Sequence, residues 1–391
     1  MDAGVRTLIH SVDIIDSGTR LPNAWALLSP DGIVATGQTT PWQDVVGPHD
    51  TVIDAAAVAG PGAILTPGFI DIHGHGGAGR SYDDGPDAIR AARAVHRRHG
   101  TTRAVISLVT DTLDRLAERV AMVADLTGTD RDILGSHLEG PFLDVSHKGA
   151  HDPELLRAPE HDAVERLLAA GRGTVAQITL APELPGGLDA VRTAVRHGAI
   201  AAVGHTDADA DMAGEAFDAG ATLLTHAFNA MPGIHHRAPG PVVAAASDPR
   251  VRLELIADGV HVDLDLIRMM FASAPGRIVL VTDAMAAAGS GDGAYILGAL
   301  AVTVRDGIAR LTAGDSIAGS TLTQDQALRN VVAVGVPVEA AVDALTRTPA
   351  TLLGHEDRLG RLRQGFAADA VLLDRDLVVR GVWADGERVS S

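Results

Sequence analysis

Between about residues 67 and 284 the chain repeats one unit, a short apolar run rich in Val, Ile and Leu followed by a segment of helical period. Eight such runs occur, at 69–73, 102–108, 133–138, 175–180, 200–204, 222–225, 252–257 and 277–282. Helix candidates lie between them, at 87–99, 112–126, 188–197 and 208–219, and Gly100, Gly198 and Gly220 follow three of these as C-terminal stops. Repeated strand–helix units imply a parallel sheet, and eight of them predict a (β/α)8 TIM-like barrel whose active site sits at the C-terminal strand ends. The composition agrees: hydrophobic residues make up 46% of the chain and aromatics only 3%, a core of branched aliphatics such as barrel interiors use.

The flanks differ. Residues 5–56 and about 355–391 hold short β-like stretches with turns, such as 24–28, 31–36 and 370–374. Both ends are assigned to one small β-sandwich domain, so the expected organisation is 1–58 and 351–391 for that domain and 59–350 for the barrel.

With 391 residues and a formal charge of −18, the chain lacks the broad basic surface that nucleic acid or an anionic membrane demands. A small anionic substrate needs only a few converging positive groups. Arg supplies nearly all of the cations, and Lys148 is the one lysine. No cysteine is present, which removes disulfides, thiolate metal sites and cysteine nucleophiles. No signal-peptide pattern and no apolar run long enough to span a bilayer are found, so a cytoplasmic location is expected.

The predicted strand ends carry the chemistry. The first runs into His73-Gly74-His75, whose i and i+2 side chains share a face and can reach one ion. Alone, a His-x-His is more often a pair of unrelated loop residues. Here, however, the third run ends in His137-Leu138-Glu139, the fifth in Gly204-His205-Thr206, the sixth in Thr225-His226 and the eighth in Thr282-Asp283. Imidazoles and carboxylates gathered on one rim suit a divalent metal, zinc first, with iron, manganese or cobalt as alternatives. Asp283 is the candidate general base for a water acidified by the metal; it is also a candidate ligand, and we expect it to do both.

The ordered set of segments around these residues resembles the N-acetylglucosamine-6-phosphate deacetylases of the amidohydrolase superfamily. The resemblance rests on Pro67–Gly76, His137–Phe142, Lys148–His151, Ala181–Glu183, Gly204–Thr206, Thr225–Met231, Asp258–His261 and Thr282–Met285 and covers nearly the whole length. It implies that Glu139, His205 and His226 bind a principal metal, that His73 and His75 bind a second, and that Asp283 activates water. One or two ions per subunit are therefore expected. Cyclic-amide hydrolases of the superfamily bridge two metals with a lysine on the fourth strand; the fourth run here has none, so Glu139 is the natural bridge.

The same resemblance implies that His151 stabilises the developing charge on the acetamide oxygen and that Arg237 and His261 recognise the phosphate. It places Ala150, Asn229, Ala230, Asp258 and the segment Ile317, Ala318, Gly319 and Ser320 against the sugar. It further implies a homodimer, in which Arg237 serves its own or the neighbouring subunit. His96, His99 and His197 fall on helices and are expected at the surface. The rival readings are an N-acetylgalactosamine-6-phosphate deacetylase, another amide hydrolase of the superfamily, and a catalytically silent barrel.

Overall fold

The computed structural model describes residues 5–314 and 316–389. The chain groups into two compact units, one made of Met1–Ile70, His96–Arg103 and Gln324–Ser391, the other of Asp71–Val95 and Ala104–Thr323. Among the described residues no helix is long and apolar enough to cross a membrane.

The first unit is organised around an antiparallel-rich sheet of eight strands. Thr7–Asp16 is its hub, antiparallel to Thr19–Ser29 and parallel to Thr51–Asp54 and Ile64–Pro67. Ala370–Leu373 then pairs antiparallel with Ile64–Pro67, which joins the C-terminal segment to the N-terminal one as the sequence predicts. Period-two alternation sorts the two faces: Leu8, Trp25 and Leu27 pack on one side, and Ile9, Ala24, Ala26 and Leu28 on the other. Helices Gln324–Ala333, Val338–Leu345 and Arg347–Leu352 also belong to this unit.

The eight apolar runs form one parallel sheet in sequential order. Its strands are β1 (Phe69–Asp71), β2 (Thr101–Val109), β3 (Ile133–Glu139), β4 (Val175–Leu180), β5 (Ile200–Val203), β6 (Leu223–Leu224), β7 (Arg252–Ile256) and β8 (Ile278–Val281). A parallel bridge between Gly74 and Ala284, with Asp283 N–H donating to His73 O at 2.8 Å, joins the exit of β8 to that of β1. The result is a nearly closed barrel. The helices at Pro86–Arg98, Leu113–Thr127, Gly187–Arg196 and Ala210–Asp218 match the predicted segments to within two residues at each end. Gly100, Gly198 and Gly220 adopt φ of +92°, +78° and +115°, the left-handed geometry that lets the chain leave a helix toward the next strand.

One element is additional. After β8 comes a three-stranded antiparallel sheet, Gly293–Leu297, Leu300–Arg305 and Ile308–Leu311. Val302, Val304 and Ala309 turn inward onto Val109, Met285 and Ala318 while Thr303 and Arg305 turn away. The Asp306-Gly307 turn, both residues at positive φ, is a strong hairpin signal that the barrel reading passed over.

Candidate active site

The candidate side chains stand at the ends of five strands, His73 and His75 after β1, Glu139 on β3, His205 after β5, His226 after β6 and Asp283 after β8, where a parallel barrel turns them toward its mouth. Three of these exits hold a non-glycine residue in the left-handed region: His205 at φ 48°, His226 at 25° and Asp283 at 47°. Such conformations cost of order 1–3 kcal/mol each and persist where surrounding structure enforces them. Part of that enforcement is steric. A Cβ on Gly204 would lie 2.6 Å from Thr225 Cβ, so only glycine allows β5 to approach β6 closely enough to bring His205 beside His226.

Glu139 is the hub. Its Oε1 lies 3.2 Å from His73 Nε2, 3.3 Å from His205 Nε2 and 3.2 Å from His226 Nε2. Its Oε2 lies 3.1 Å from His75 Nε2 and 3.6 Å from His151 Nε2. Asp283 Oδ1 approaches His75 Nε2 at 3.2 Å and His73 Nε2 at 3.7 Å. The Nε2 atoms of His205 and His226 are 3.0 Å apart. Two groups of donor atoms, His73/His75/Glu139 and Glu139/His151/His205, each fall within 4.8 Å of one another.

The far sides of the rings show which nitrogens are available. His205 Nδ1 donates to His147 O at 2.9 Å, which leaves Nε2 with its lone pair. His73 Nδ1 meets Glu254 Oε2 at 2.9 Å, and its Nε2 has no hydrogen-bond partner although fully buried. His151 Nδ1 contacts Thr110 Oγ1 at 2.7 Å. Glu183 accepts from Thr206 Oγ1 at 2.5 Å and Asp207 N at 2.6 Å, pinning the loop after His205. Bare Nε2 atoms converging on one carboxylate are the donor set a divalent ion takes, so the residues fit a metal.

The electrostatics say the same. Burial opposes charge on His73 and His75, but the carboxylates outweigh it, holding His73 well above the usual imidazole range and pushing His75 up to about 9. Burial also opposes ionisation of Asp283, yet His73 and His75 bring it down to about 2. His73, with His151, His205 and His226, holds Glu139 well below the usual carboxylate range against its burial. His205 falls to about 4 through burial and the neighbouring imidazoles, despite Glu139. This is a field that draws positive charge inward, and a dication competes for it with protons.

Above the cluster opens a cavity of about 320 Å³. His75, Glu139, His151, His205, His226 and Asp283 form its metal-facing side, and Val109, Gly149, Ala150, Asn229, Ala230, His261, Leu297, Ser316, Ile317 and Gly319 complete it. Asn229 Nδ2 donates to His226 O at 3.2 Å, bracing the turn that carries a ring of the cluster. Asp258 stands behind His261, its Oδ2 2.7 Å from Nδ1. Burial opposes a charged His261, but Asp258 prevails and raises its pKa.

Several expected residues lie elsewhere. Ala318 is packed into the core of the added sheet. Ser320 is buried with its Oγ donating to Thr282 O at 2.5 Å and its N–H to Asp283 O at 2.7 Å, so it shapes the exit of β8 instead of facing the cavity. Arg237 is exposed and does not line the cavity of its own chain. His96 is buried, contrary to the surface position read from its helix, whereas His197 is exposed and paired with Glu165. Glu254 on β7 was missed altogether: one acidic residue inside an apolar run carries no motif, although its place on a barrel strand was the available signal.

The model of the amidohydrolase family matches residues 64–389. The chain belongs to the amidohydrolase family. Within it, the chain is 40% identical over 332 residues to the N-acetylgalactosamine-6-phosphate deacetylase of Escherichia coli O157:H7, covering 84% of this chain and 88% of that one. It is 36% identical over 385 residues to the N-acetylglucosamine-6-phosphate deacetylase of Bos taurus, covering 95% and 94%. Among solved structures, the N-acetyl-D-glucosamine-6-phosphate deacetylase of Mycobacterium smegmatis, a variant in complex with N-acetyl-D-glucosamine-6-phosphate, superposes with a TM-score of 0.92 at 39% identity, covering 99% of this chain and 100% of that chain. This amidohydrolase thus has deacetylase relatives across nearly its full length.

Proposed function

We propose that this amidohydrolase hydrolyses N-acetyl-D-glucosamine 6-phosphate to D-glucosamine 6-phosphate and acetate. The observation that carries the reading is the converging cluster of Glu139, His205, His226, His73, His75 and Asp283 at the floor of a small cavity, in a chain whose relatives bear that activity in their names. Glu139, His205 and His226 hold a principal ion, and His73 and His75 a second; zinc is our first choice, ahead of iron, manganese and cobalt. The ion supplies Lewis acidity toward the acetamide oxygen and toward a water.

The chain's own groups do the rest. Asp283, kept ionised, takes the water's proton and hands it to the departing amine, serving as base and then acid. His151, held at Nδ1 by Thr110 Oγ1 at 2.7 Å, lines the cavity, where we assign its ring the role of stabilising the acetamide oxygen. One such donor is worth about 3 kcal/mol of barrier. His261, charged through Asp258, contacts the phosphate. No Lys or Arg is found among the described residues that line the cavity. On the family resemblance we assign the second phosphate cation to Arg237, reaching from a neighbouring subunit of a homodimer in the cytoplasm.

A second reading is favoured by the 40% identity to the galactosamine enzyme: the C4 epimer is the substrate. Amine release by the metal-supplemented protein should be compared on the 6-phosphates of N-acetylglucosamine and N-acetylgalactosamine and on unphosphorylated N-acetylglucosamine. Preference for the first supports the proposal and preference for the second replaces it with the epimer reading. Turnover indifferent to phosphate removes His261 and Arg237 from the site, and no turnover on any substrate returns the chain to the silent-barrel reading.

A further inference from the structure

Glu254 sits in the middle of β7 with none of its surface exposed. An ionised carboxylate in such a place costs several kcal/mol unless it is compensated. Three donors face it: Gln177 Nε2 at 2.9 Å on Oε1, and His226 N at 3.1 Å and His73 Nδ1 at 2.9 Å on Oε2. The amide of Gln177 and the backbone N–H of His226 fix both oxygens as acceptors, so the hydrogen on the third contact belongs to His73 Nδ1. His73 Nε2, 3.2 Å from Glu139 Oε1, is then the nitrogen left for an ion to take in place of a proton. Glu254 also touches two ligands at once, the ring of His73 and the backbone of His226, so it couples the two halves of the cluster.

The charge count gives this contact a second meaning. Glu139, Asp283 and Glu254 place three carboxylates around the histidines, and no Lys or Arg is among the described residues lining the cavity. Asp71, the other buried carboxylate nearby, is held by the Thr282 hydroxyl at 2.6 Å and feels Arg93. Set against neutral imidazoles, one dication leaves the three carboxylates at net −1 and two bring the centre to +1.

Resting on the metal reading above, we infer that Glu254 is the positioning residue of the histidine pair: it fixes the tautomer and aim of His73 and supplies the charge that brings a second dication to His73, His75 and Glu139.

The test is equilibrium dialysis of the full-length protein against Zn²⁺ or Mn²⁺ with metal counted per chain, together with the EPR spectrum of the Mn²⁺ form and the melting temperature of the metal-free form. Wild type should take two ions and show a spin-coupled Mn²⁺ pair. Glu254→Gln, which keeps an acceptor for Nδ1–H but loses the charge, should hold the first ion and bind the second about 10–100-fold more weakly, giving an uncoupled signal at limiting metal. In a His73→Gln background, where the ring it positions is gone, Glu254→Gln should change the second site far less than it does in the wild type. A merely structural carboxylate predicts instead that both sites weaken together as the fold loosens. Glu254→Gln should still fold without metal and take the first ion with wild-type affinity.

Two ions bound to Glu254→Gln with wild-type affinity would overturn the inference, as would a lower metal-free melting temperature with loss of both ions, or a wild type that takes only one. A wild type that takes no ion defeats the metal reading itself, a result distinct from any of these.

Discussion

Arg103 and Glu254 are both ionisable residues buried on barrel strands, and the protein treats them in opposite ways. Arg103 is answered within its own unit: its Nε and one terminal nitrogen grip Asp369 at 2.6 and 2.9 Å, and the same nitrogen reaches Asp385 at 2.6 Å. A bidentate guanidinium–carboxylate pair satisfies fixed geometry with fixed charge and needs nothing from outside. Glu254 has only neutral donors and an imidazole, and the other carboxylates beside that ring are Glu139 and Asp283. Where the chain closes its own charge balance the cluster is architectural; where it leaves the balance open, on bare ring nitrogens, an exogenous cation completes it.

Three substitutions break or sharpen that contrast. Asp283→Asn removes the proton carrier from the open cluster and should lower kcat by about 10²–10⁴-fold, with at least one ion still bound. Acetate release measured beside metal content checks this, and near-normal kcat would take Asp283 out of the proton-transfer role. Asp369→Asn strips the bidentate partner from the closed cluster. It should destabilise the fold by about 3–5 kcal/mol in denaturant titration while turnover per folded molecule stays unchanged. A loss of metal without loss of stability would show that the two clusters are not different in kind.

The smallest effect concerns the mixed case, Asp258 and His261, where an internal carboxylate keeps an imidazole charged at the cavity wall. Asp258 raises the His261 pKa against burial, so the charged form, and with it phosphate binding, is present at low pH and lost as pH rises through that raised value. In Asp258→Asn the loss should begin at lower pH, with KM rising about 10-fold while kcat holds. A KM profile that does not move would detach His261 from the phosphate.

Much of this was legible in the sequence because it depends on local periods. Short continuous apolar runs separated by helical segments, with glycine at three helix ends, located the eight strands almost to the residue, since burial of both sheet faces demands that pattern wherever it occurs. The strand-end motifs nominated Glu139, His205, His226, His73, His75 and Asp283, because a barrel delivers its chemistry from those exits. The Asp306-Gly307 turn that marks the added sheet is a local signal of the same kind.

Other features belong to no local pattern. That Glu254 lies beneath His73 depends on β7 and the exit of β1 meeting across 181 residues of chain, and a lone acid in an apolar run looks the same whether it orients a ligand or faces solvent. Ser320 and Ala318 turned away from the cavity because the exit of β8 claimed the hydroxyl of one and the core claimed the methyl of the other. His96 was buried by packing that helical position alone did not reveal. The sequence by itself determined which strands form and which side chains stand at their ends, because those follow from hydrophobic period and turn chemistry; only the tertiary structure decided which nitrogens are left bare and which charges uncompensated, because those are sums over residues far apart in the chain.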